Sequence, residues 1–195
     1  MKAFILSLLL CAGASLAQQP AGQQFKGGVF DPPRPAPAFA LPASSGAPVR
    51  LADYRGKVVV LEFGFSHCPA VCPVSLASLA AAKQQLGARG KDVQVLFITV
   101  DPARDTPERL RSYLAQFDPG FVGITGSDAQ IGQLLKDYGI SAAKHPVKGS
   151  NDYSMSHSSY LYFIDRQGRQ RAMMPFGRPA ADIAHDLAIL LGPDQ

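Results

Sequence analysis

The feature that most constrains this chain is a pair of cysteines placed where an apolar segment meets a predicted helix. Residues 58–65 are almost continuously apolar, which predicts a central strand covered on both faces. Cys68 follows this segment, and Cys72 lies where apolar residues begin to recur at helical spacing, with Pro73 in the first turn. The pattern therefore predicts two thiols at the start of a helix, beside the end of a buried strand.

This position favours soft-metal or redox chemistry for the two cysteines. The unpaired N–H groups and the dipole at a helix start stabilise thiolates, which makes them better ligands and nucleophiles. Two such sulfurs can chelate one ion or form a disulfide. They favour Cu(I), and Zn(II) is an alternative, although a closed zinc site usually has four protein ligands. A purely structural disulfide is less favoured, because so short a loop removes little unfolded-state entropy.

A third ligand must come from elsewhere in the chain, and His157 is the candidate. It precedes a predicted strand at 159–164, whose beginning would lie beside the cysteines if that strand ran antiparallel to 58–65. A hydrogen-bonded histidine at a strand end is an equally compatible interpretation. The other candidates compete less well, because His67 would point away from Cys68 if the strand geometry persists, a solvated face explains the two later histidines, and core packing explains the methionines. These other candidates are His67, His145, His185, Met155, Met173 and Met174.

Strand-like and helix-like segments alternate along most of the chain. Thr106 predicts a helix cap with Pro107 at the first helical position, after a second apolar strand at 93–100. The further predicted elements are strands at 39–41, 49–51 and 121–124, helices at 74–86, 128–138 and 179–191, and a hairpin of 159–164 with 170–174. A polar, mobile loop is expected at 141–153. The order predicts an α/β chain, a thioredoxin-like three-layer sandwich with a central mixed sheet and an antiparallel hairpin edge.

The N-terminal residues predict export. A positive start, a short apolar run and the small residues around Ala17 predict a signal peptide at residues 1–17 and a periplasmic protein. The apolar run is too short to span a bilayer, and a retained N-terminal membrane anchor is the alternative. Residues 18–38 are rich in proline and predict an extended lead-in. We expect residues 39–195 to form a single domain.

The charge of the chain does not indicate a nucleic-acid partner. The formal net charge is +4, but its basic residues are scattered singly and form no basic and aromatic surface. With 47% hydrophobic residues, the chain has enough apolar material for one core. We therefore expect a monomer that binds no nucleic acid.

Three segments of this sequence resemble the Sco/SenC family: the CxxxCP motif at 68–73, the DPARDTPE sequence at 101–108, and His157 ahead of a strand. The resemblance implies a thioredoxin-like copper metallochaperone that helps assemble the dinuclear copper centre of cytochrome c oxidase. It implies Cu(I) or Cu(II) held by Cys68, Cys72 and His157, with a copper-accepting protein such as oxidase subunit II as partner. It also puts Asp105 near the metal, although a helix cap explains that residue equally well.

Two departures from the family pattern and one alternative function remain. Family members usually carry an acid at the position of Ala70 and an Asp at that of Ser156, so copper affinity or partner docking is expected to differ. The alternative is a thiol-disulfide oxidoreductase that uses Cys68 and Cys72 to reduce an exported protein. A thiol reductant or a copper donor is then a further partner. Glu62 interrupts the buried strand and is expected to be a paired structural acid.

Overall fold

The computed structural model describes residues 24–193, which fold around one mixed sheet. The strands are β1 (Gly28–Pro35), β2 (Ala40–Leu41), β3 (Val49–Arg50), β4 (Val58–Gly64), β5 (Val93–Thr99), β6 (Val122–Ile124), β7 (Ala142–Pro146), β8 (Tyr153–His157), β9 (Tyr160–Ile164) and β10 (Arg169–Pro175). The helices are α1 (Val71–Gln85), α2 (Pro107–Leu114), α3 (Asp128–Tyr138) and α4 (Ala180–Leu191). The predicted signal peptide lies outside the described residues.

Within residues 24–193, the main sheet has the strand order β1-β10-β9-β4-β5-β6. Strands β4, β5 and β6 are parallel, whereas β9 is antiparallel to β4 and forms the predicted hairpin with β10. Strands β2–β3 and β7–β8 form separate two-stranded sheets. The predicted α/β class, mixed sheet and antiparallel hairpin are therefore confirmed.

Every residue of β4 is buried, as its continuous apolar sequence predicts. Phe63 contacts Tyr138 of α3, with 5.4 Å between ring centroids. Phe97 of β5 is the register partner of Glu62, so it lies on the opposite face, where its ring is 5.9 Å from Tyr113 of α2. Helices therefore cover both faces of the sheet, and the cysteine-bearing end of β4 lies between them.

The helix boundaries follow local signals in the sequence. Thr106 caps α2 by accepting a hydrogen bond from the Arg109 N–H (3.2 Å), as predicted. Ser127 caps α3 in the same way, and Gly139 ends it in the left-handed conformation with φ of 68°. Helix α1 begins at Val71, three residues before the predicted start, so Cys72 lies in its first turn.

The Pro-rich segment that we predict to be an extended lead-in supplies an edge strand of the main sheet. Strand β1 is extended but pairs antiparallel with β10, and most of its side chains are exposed. Asp186 of α4 holds the chain before it by accepting hydrogen bonds from the Lys26 and Gly27 N–H groups (2.7 and 2.9 Å). The sheet thus begins earlier than residue 39.

The prediction of a loop without regular secondary structure at 141–153 is wrong. Strands β7 and β8 form a hairpin in this region, with Ala142 paired to His157 and Pro146 to Tyr153. A two-stranded pair with few apolar residues gives a weak sequence signal. None of the helices within residues 24–193 is long and apolar enough to cross a membrane.

We predict that Asp186→Asn lowers the free energy of unfolding by about 1–3 kcal/mol, because a buried acceptor of two N–H groups is weakened. Hydrogen exchange should rise in β1 and stay unchanged in β4. Denaturant unfolding and amide exchange measure the two effects. Asp182→Asn on the same helix is the matched control, and equal effects of the two substitutions would contradict this role of Asp186.

Candidate metal centre

The two cysteines lie at the junction of β4 and α1, and they differ in exposure. Cys72 is 1% exposed, whereas Cys68 lies in the turn before α1 and is half-buried. Both are free thiols. Gly64 makes room for the buried sulfur, because a Cβ at that position would lie 2.8 Å from Cys72 Sγ. The chain therefore presents one accessible and one enclosed sulfur.

Helix α1 begins without a capping side chain, and the Cys68 sulfur occupies the position that a cap would fill. Ala70 is the N-cap residue and has no side-chain acceptor. Cys68 Sγ instead accepts a hydrogen bond from the Cys72 N–H (3.4 Å). A hydrogen bond from the Cys72 thiol, helped by the N–H groups of Cys72, Ala70 and Val71, lowers the pKa of Cys68 to about 5 against the effect of desolvation.

Cys72 has the opposite electrostatic environment. Its hydrogen bond to Cys68 and its burial raise its pKa well above that of an ordinary thiol. The pair therefore holds one negative charge near neutral pH, on the more accessible Cys68 sulfur. A second proton must leave before both sulfurs can act as thiolate ligands.

His157 lies at the end of β8, with its ring beside the buried cysteine. Its Nε2 atom is 3.9 Å from Cys72 Sγ, and its ring packs edge-on against Phe65 with 5.9 Å between centroids. Nδ1 is 3.0 Å from the carbonyl oxygen of Ser158, which can only accept, so Nδ1 carries the proton. In the neutral ring the lone pair then lies on Nε2, which faces Cys72 Sγ, and this is the arrangement that a metal-binding imidazole requires.

The distance between Cys72 Sγ and His157 Nε2 is slightly longer than the distance between two ligands of one metal ion. Metal–sulfur and metal–nitrogen bonds of about 2.3 and 2.0 Å put the two ligand atoms roughly 3.5–3.8 Å apart in tetrahedral or trigonal sites. The separation of 3.9 Å between Cys72 Sγ and His157 Nε2 is slightly larger. Within residues 24–193, no three His, Cys, Asp or Glu side chains already form a metal-binding cluster. Binding one ion by Cys68, Cys72 and His157 therefore requires the three side chains to move closer together.

Asp105 braces the segment that leads into the cysteines. It is fully buried and accepts hydrogen bonds from the Ser66 N–H (3.0 Å), the Ser66 hydroxyl (2.6 Å) and the Thr99 hydroxyl (2.7 Å). Thr106 is the helix cap, so a capping role for Asp105 is wrong. Ser66 and Thr99 are not predicted from the sequence as partners of Asp105. Their positions could have indicated it, because Ser66 follows β4, Thr99 ends β5, and these neighbouring parallel strands end at the same edge of the sheet.

Glu62 is a buried acid that is only half paired. Ser75 of α1 hydrogen bonds to the carboxyl group, while Oε2 has no hydrogen-bond partner among the described residues. It lines a narrow pocket together with Ser75, His157 and Phe176. Burial, and then the nearby Cys68 charge, raises the pKa of Glu62 to about 8, against the Ser75 hydrogen bond. The expected paired acid therefore lacks one partner and lies beside the candidate ligand His157.

The other histidines have partners away from the two sulfurs. Hydrogen-bond contacts join His67 Nδ1 to the Ser66 hydroxyl (3.2 Å), His145 Nε2 to the Ser156 hydroxyl (2.8 Å), and His185 Nδ1 to Asp186 (3.1 Å). Ser156, at the position where the resemblance led us to expect an acid, thus contacts His145 on the neighbouring strand of the same hairpin. Met174 is fully buried, and Met155 and Met173 pack against the core. Core packing accounts for all three methionines.

Comparison with known proteins gives consistent similarities. A family model described as SCO1/SenC matches residues 31–192. The chain is 38% identical over 133 residues to the mitochondrial protein SCO2 of Saccharomyces cerevisiae, covering 67% of this chain and 44% of that protein. A SCO2-like protein of Rickettsia prowazekii is 34% identical over 176 residues, with 85% and 84% covered. The chain spans about half the length of the yeast and bovine relatives.

Solved structures show the same fold. The copper-bound ScoI of Bradyrhizobium japonicum has a TM-score of 0.72 at 36% identity, covering 78% of this chain and 96% of that one. The apo Sco1 protein of Thermus thermophilus has a TM-score of 0.77 at 33% identity, with 86% and 98% covered. Copper-bound yeast Sco1 has a TM-score of 0.70 at 32% identity, with 78% and 85% covered. The thioredoxin-like prediction is confirmed.

We predict that Glu62→Gln makes stability less sensitive to pH. A carboxyl group whose folded pKa is about 8 stabilises the fold below its unfolded pKa of 4.5, and this contribution is lost as the pH rises toward 8. In metal-free, reduced protein, the unfolding free energy of Glu62→Gln relative to the parent should increase by roughly 2–4 kcal/mol between pH 5 and pH 8.

Denaturant unfolding at several pH values tests this prediction. The matched control is Glu108→Gln, which replaces the chain's other glutamate at an exposed position on α2. Its curve should run nearly parallel to that of the parent protein. If the curve of Glu62→Gln also runs parallel to the parent, Glu62 is not held protonated by the fold.

Proposed function

Because the chain belongs to the SCO1/SenC family, we propose that it is an exported copper chaperone. Cys68, Cys72 and His157 hold copper as cargo, as Cu(I) or Cu(II). The chaperone passes the ion by ligand exchange to an acceptor such as subunit II of cytochrome c oxidase, whose dinuclear copper centre it helps to assemble. The acceptor rests on the family resemblance, and the ligand set rests on that resemblance together with the position of His157 beside Cys72.

The observation that carries the proposal is the orientation of His157. Its Nδ1–H is turned to the Ser158 carbonyl, and its Nε2 lone pair faces Cys72 Sγ at 3.9 Å. The group nearest to the second nitrogen is the Cys72 sulfur, which is a weak hydrogen-bonding group but a strong ligand for a soft metal. Relatives of similar fold at 36% and 32% identity carry bound copper in their structures, which supports the same cargo.

The donor set suits copper that is later released. Two thiolates and one imidazole match the preferences of Cu(I), and three protein ligands leave a coordination position for an incoming ligand. The hydrogen bond from the Cys72 thiol, helped by the N–H groups at the start of α1, lowers the pKa of Cys68 to about 5, so the proton that copper binding has to displace is mainly the one on Cys72. The buried Cys72 and the aromatic packing of Phe65 on His157 limit access of water to the inner side.

We further propose that the protein works in the periplasm after export. The basis is the predicted signal peptide at residues 1–17, with a retained membrane anchor as the alternative. A SCO1/SenC family lipoprotein from Bacillus anthracis has a TM-score of 0.71 at 27% identity, which is consistent with an extracytoplasmic place of work. Mass measurement of the protein isolated from the periplasm distinguishes a cleaved chain from a retained one.

The second candidate function is reduction of a partner disulfide, and the unequal thiols favour it. The Cys68 thiolate, with its pKa lowered to about 5, attacks the partner's disulfide and releases one partner thiolate. Cys72 then loses its proton and attacks the mixed disulfide, which releases the second partner thiolate and leaves a Cys68–Cys72 disulfide. Two electrons pass to the partner, and a thiol reductant must restore the pair.

We predict that anaerobic titration of the reduced protein gives one copper ion per chain. His157→Ala should weaken binding by at least roughly tenfold, because one of three ligands is lost. His185→Ala, on α4 beside Asp186, is the matched control and should bind like the parent. Competition against a chelator of known affinity measures the difference.

The same set of proteins separates the two functions. Equal affinity of His157→Ala and the parent would remove His157 from the ligand set. If neither protein binds copper and both reduce a disulfide substrate at equal rates, the oxidoreductase function replaces the chaperone function.

A further inference from the structure

The hairpin β7–β8 carries His157 but has little support of its own. It forms a separate two-stranded sheet, and every residue of β7 is exposed. At its base, Ser141 and Ser158 exchange two hydrogen bonds, from the Ser158 N–H to the Ser141 carbonyl and from the Ser141 N–H to the Ser158 hydroxyl. An isolated pair of strands is marginally stable in water. The position of His157 therefore depends on contacts that the hairpin makes with the rest of the chain.

Tyr153, at the start of β8, makes such contacts with the turn after β5. Its hydroxyl donates a hydrogen bond to the Asp101 carboxylate (2.7 Å), and the Arg104 guanidinium stacks on its ring at 3.8 Å from the centroid. Arg104 also donates from its terminal nitrogen to the Tyr153 carbonyl and to the Asp152 carboxylate, both at 3.0 Å. Two residues of one turn thus contact four groups of the hairpin, which are the Tyr153 hydroxyl, ring and carbonyl and the Asp152 carboxylate.

The contacts that involve Asp101 are shielded from solvent, which makes them stronger than ordinary surface pairs, whereas the Asp152 carboxylate is exposed. Asp101 is fully buried, and its carboxylate accepts from both the Tyr153 hydroxyl and Arg104 Nε. The side chain of Arg104 is only 19% exposed. Charge-assisted hydrogen bonds in such a setting are shorter and stronger than neutral ones, and removing one partner leaves a buried charge unsatisfied.

The same turn also holds the segment that carries the cysteines. Asp105 accepts three hydrogen bonds, two of them from Ser66, which precedes Cys68 by two residues. The Asp101 carbonyl accepts from the N–H groups of Arg104 and Asp105 (3.2 and 3.0 Å), which closes the turn on itself. One short turn therefore contacts the cysteine-bearing loop on one side and the histidine-bearing hairpin on the other.

We propose that Tyr153 and Arg104 are positioning residues that hold His157 against the cysteines through the turn at residues 101–105. The predicted effect of these residues on copper affinity rests on the proposed copper function. Side chains of a strand alternate between faces, so Tyr153 and His157, four residues apart on β8, lie on the same face. Their equal, intermediate burial fits this register, whereas Ser154 and Ser156 are exposed. Contacts that hold the Tyr153 ring therefore also orient the face of β8 on which His157 lies.

The test is a double-mutant cycle between Tyr153→Phe and His157→Ala. Tyr153→Phe removes only the hydroxyl and keeps the ring under Arg104. It should weaken copper binding about three- to tenfold in the parent and have no effect in the His157→Ala background. Arg104→Lys, which cannot stack and bridge three acceptors at once, should behave in the same way.

Tyr113→Phe is the matched control, because the buried Tyr113 hydroxyl has no hydrogen-bond partner among the described residues. It should bind copper like the parent. If Tyr153→Phe weakens binding equally with and without His157, the hydroxyl acts on general stability and the positioning role is overturned. Unchanged binding in Tyr153→Phe and Arg104→Lys overturns it as well.

A metal-free measurement keeps the inference testable if the protein binds no copper. In the reduced apo protein, proton NMR contacts between the rings of His157 and Phe65, whose centroids are 5.9 Å apart, report the position of the hairpin. These contacts should weaken in Tyr153→Phe and persist in Tyr113→Phe. If the parent protein binds no copper but the NMR contacts weaken in Tyr153→Phe as expected, only the copper function is rejected. If the contacts are unchanged in Tyr153→Phe, the positioning role is rejected.

Discussion

The buried carboxylate of Asp105 is the constraint on which the geometry of the site depends. A charge with no exposure to solvent must be satisfied by the protein, and here Ser66 and Thr99 supply three donor groups. Arg109 Nε donates in turn to the Ser66 hydroxyl (3.0 Å), which extends the network to α2. The loop before Cys68 therefore cannot move away from β5 without leaving a charge unsatisfied, and the start of α1 is held in register with the neighbouring strand.

Much of the fold could be predicted because its signals are local. The continuous apolar sequence of β4 and the cap at Thr106 each depend on a few adjacent residues, and the structure confirms both. The proximity of His157 to Cys72 follows from topology, since the hairpin's next strand runs antiparallel to β4. The ligand set itself came from the family resemblance, because spacing alone left a structural histidine equally compatible.

The contacts that could not be predicted join residues far apart in sequence. Tyr153 and Asp101 are separated by 52 residues, and neither residue type alone indicates the other. The Pro-rich strand β1 pairs through backbone groups that leave little trace in side-chain pattern. The half-paired state of Glu62 depends on which helical side chain reaches it, and Ser75 reaches only one of its two oxygens. Long-range polar pairing is set by the assembled fold.

The unequal exposure of the two sulfurs imposes an order of events on any exchange at this site. An approaching thiol or imidazole meets Cys68 first, because Cys72 is enclosed behind the turn at 1% exposure. In the proposed copper transfer, the bond to Cys68 is therefore more open to an incoming ligand than the bond to Cys72. At the proposed copper site, one sulfur is therefore open to an incoming ligand and the other is enclosed behind it.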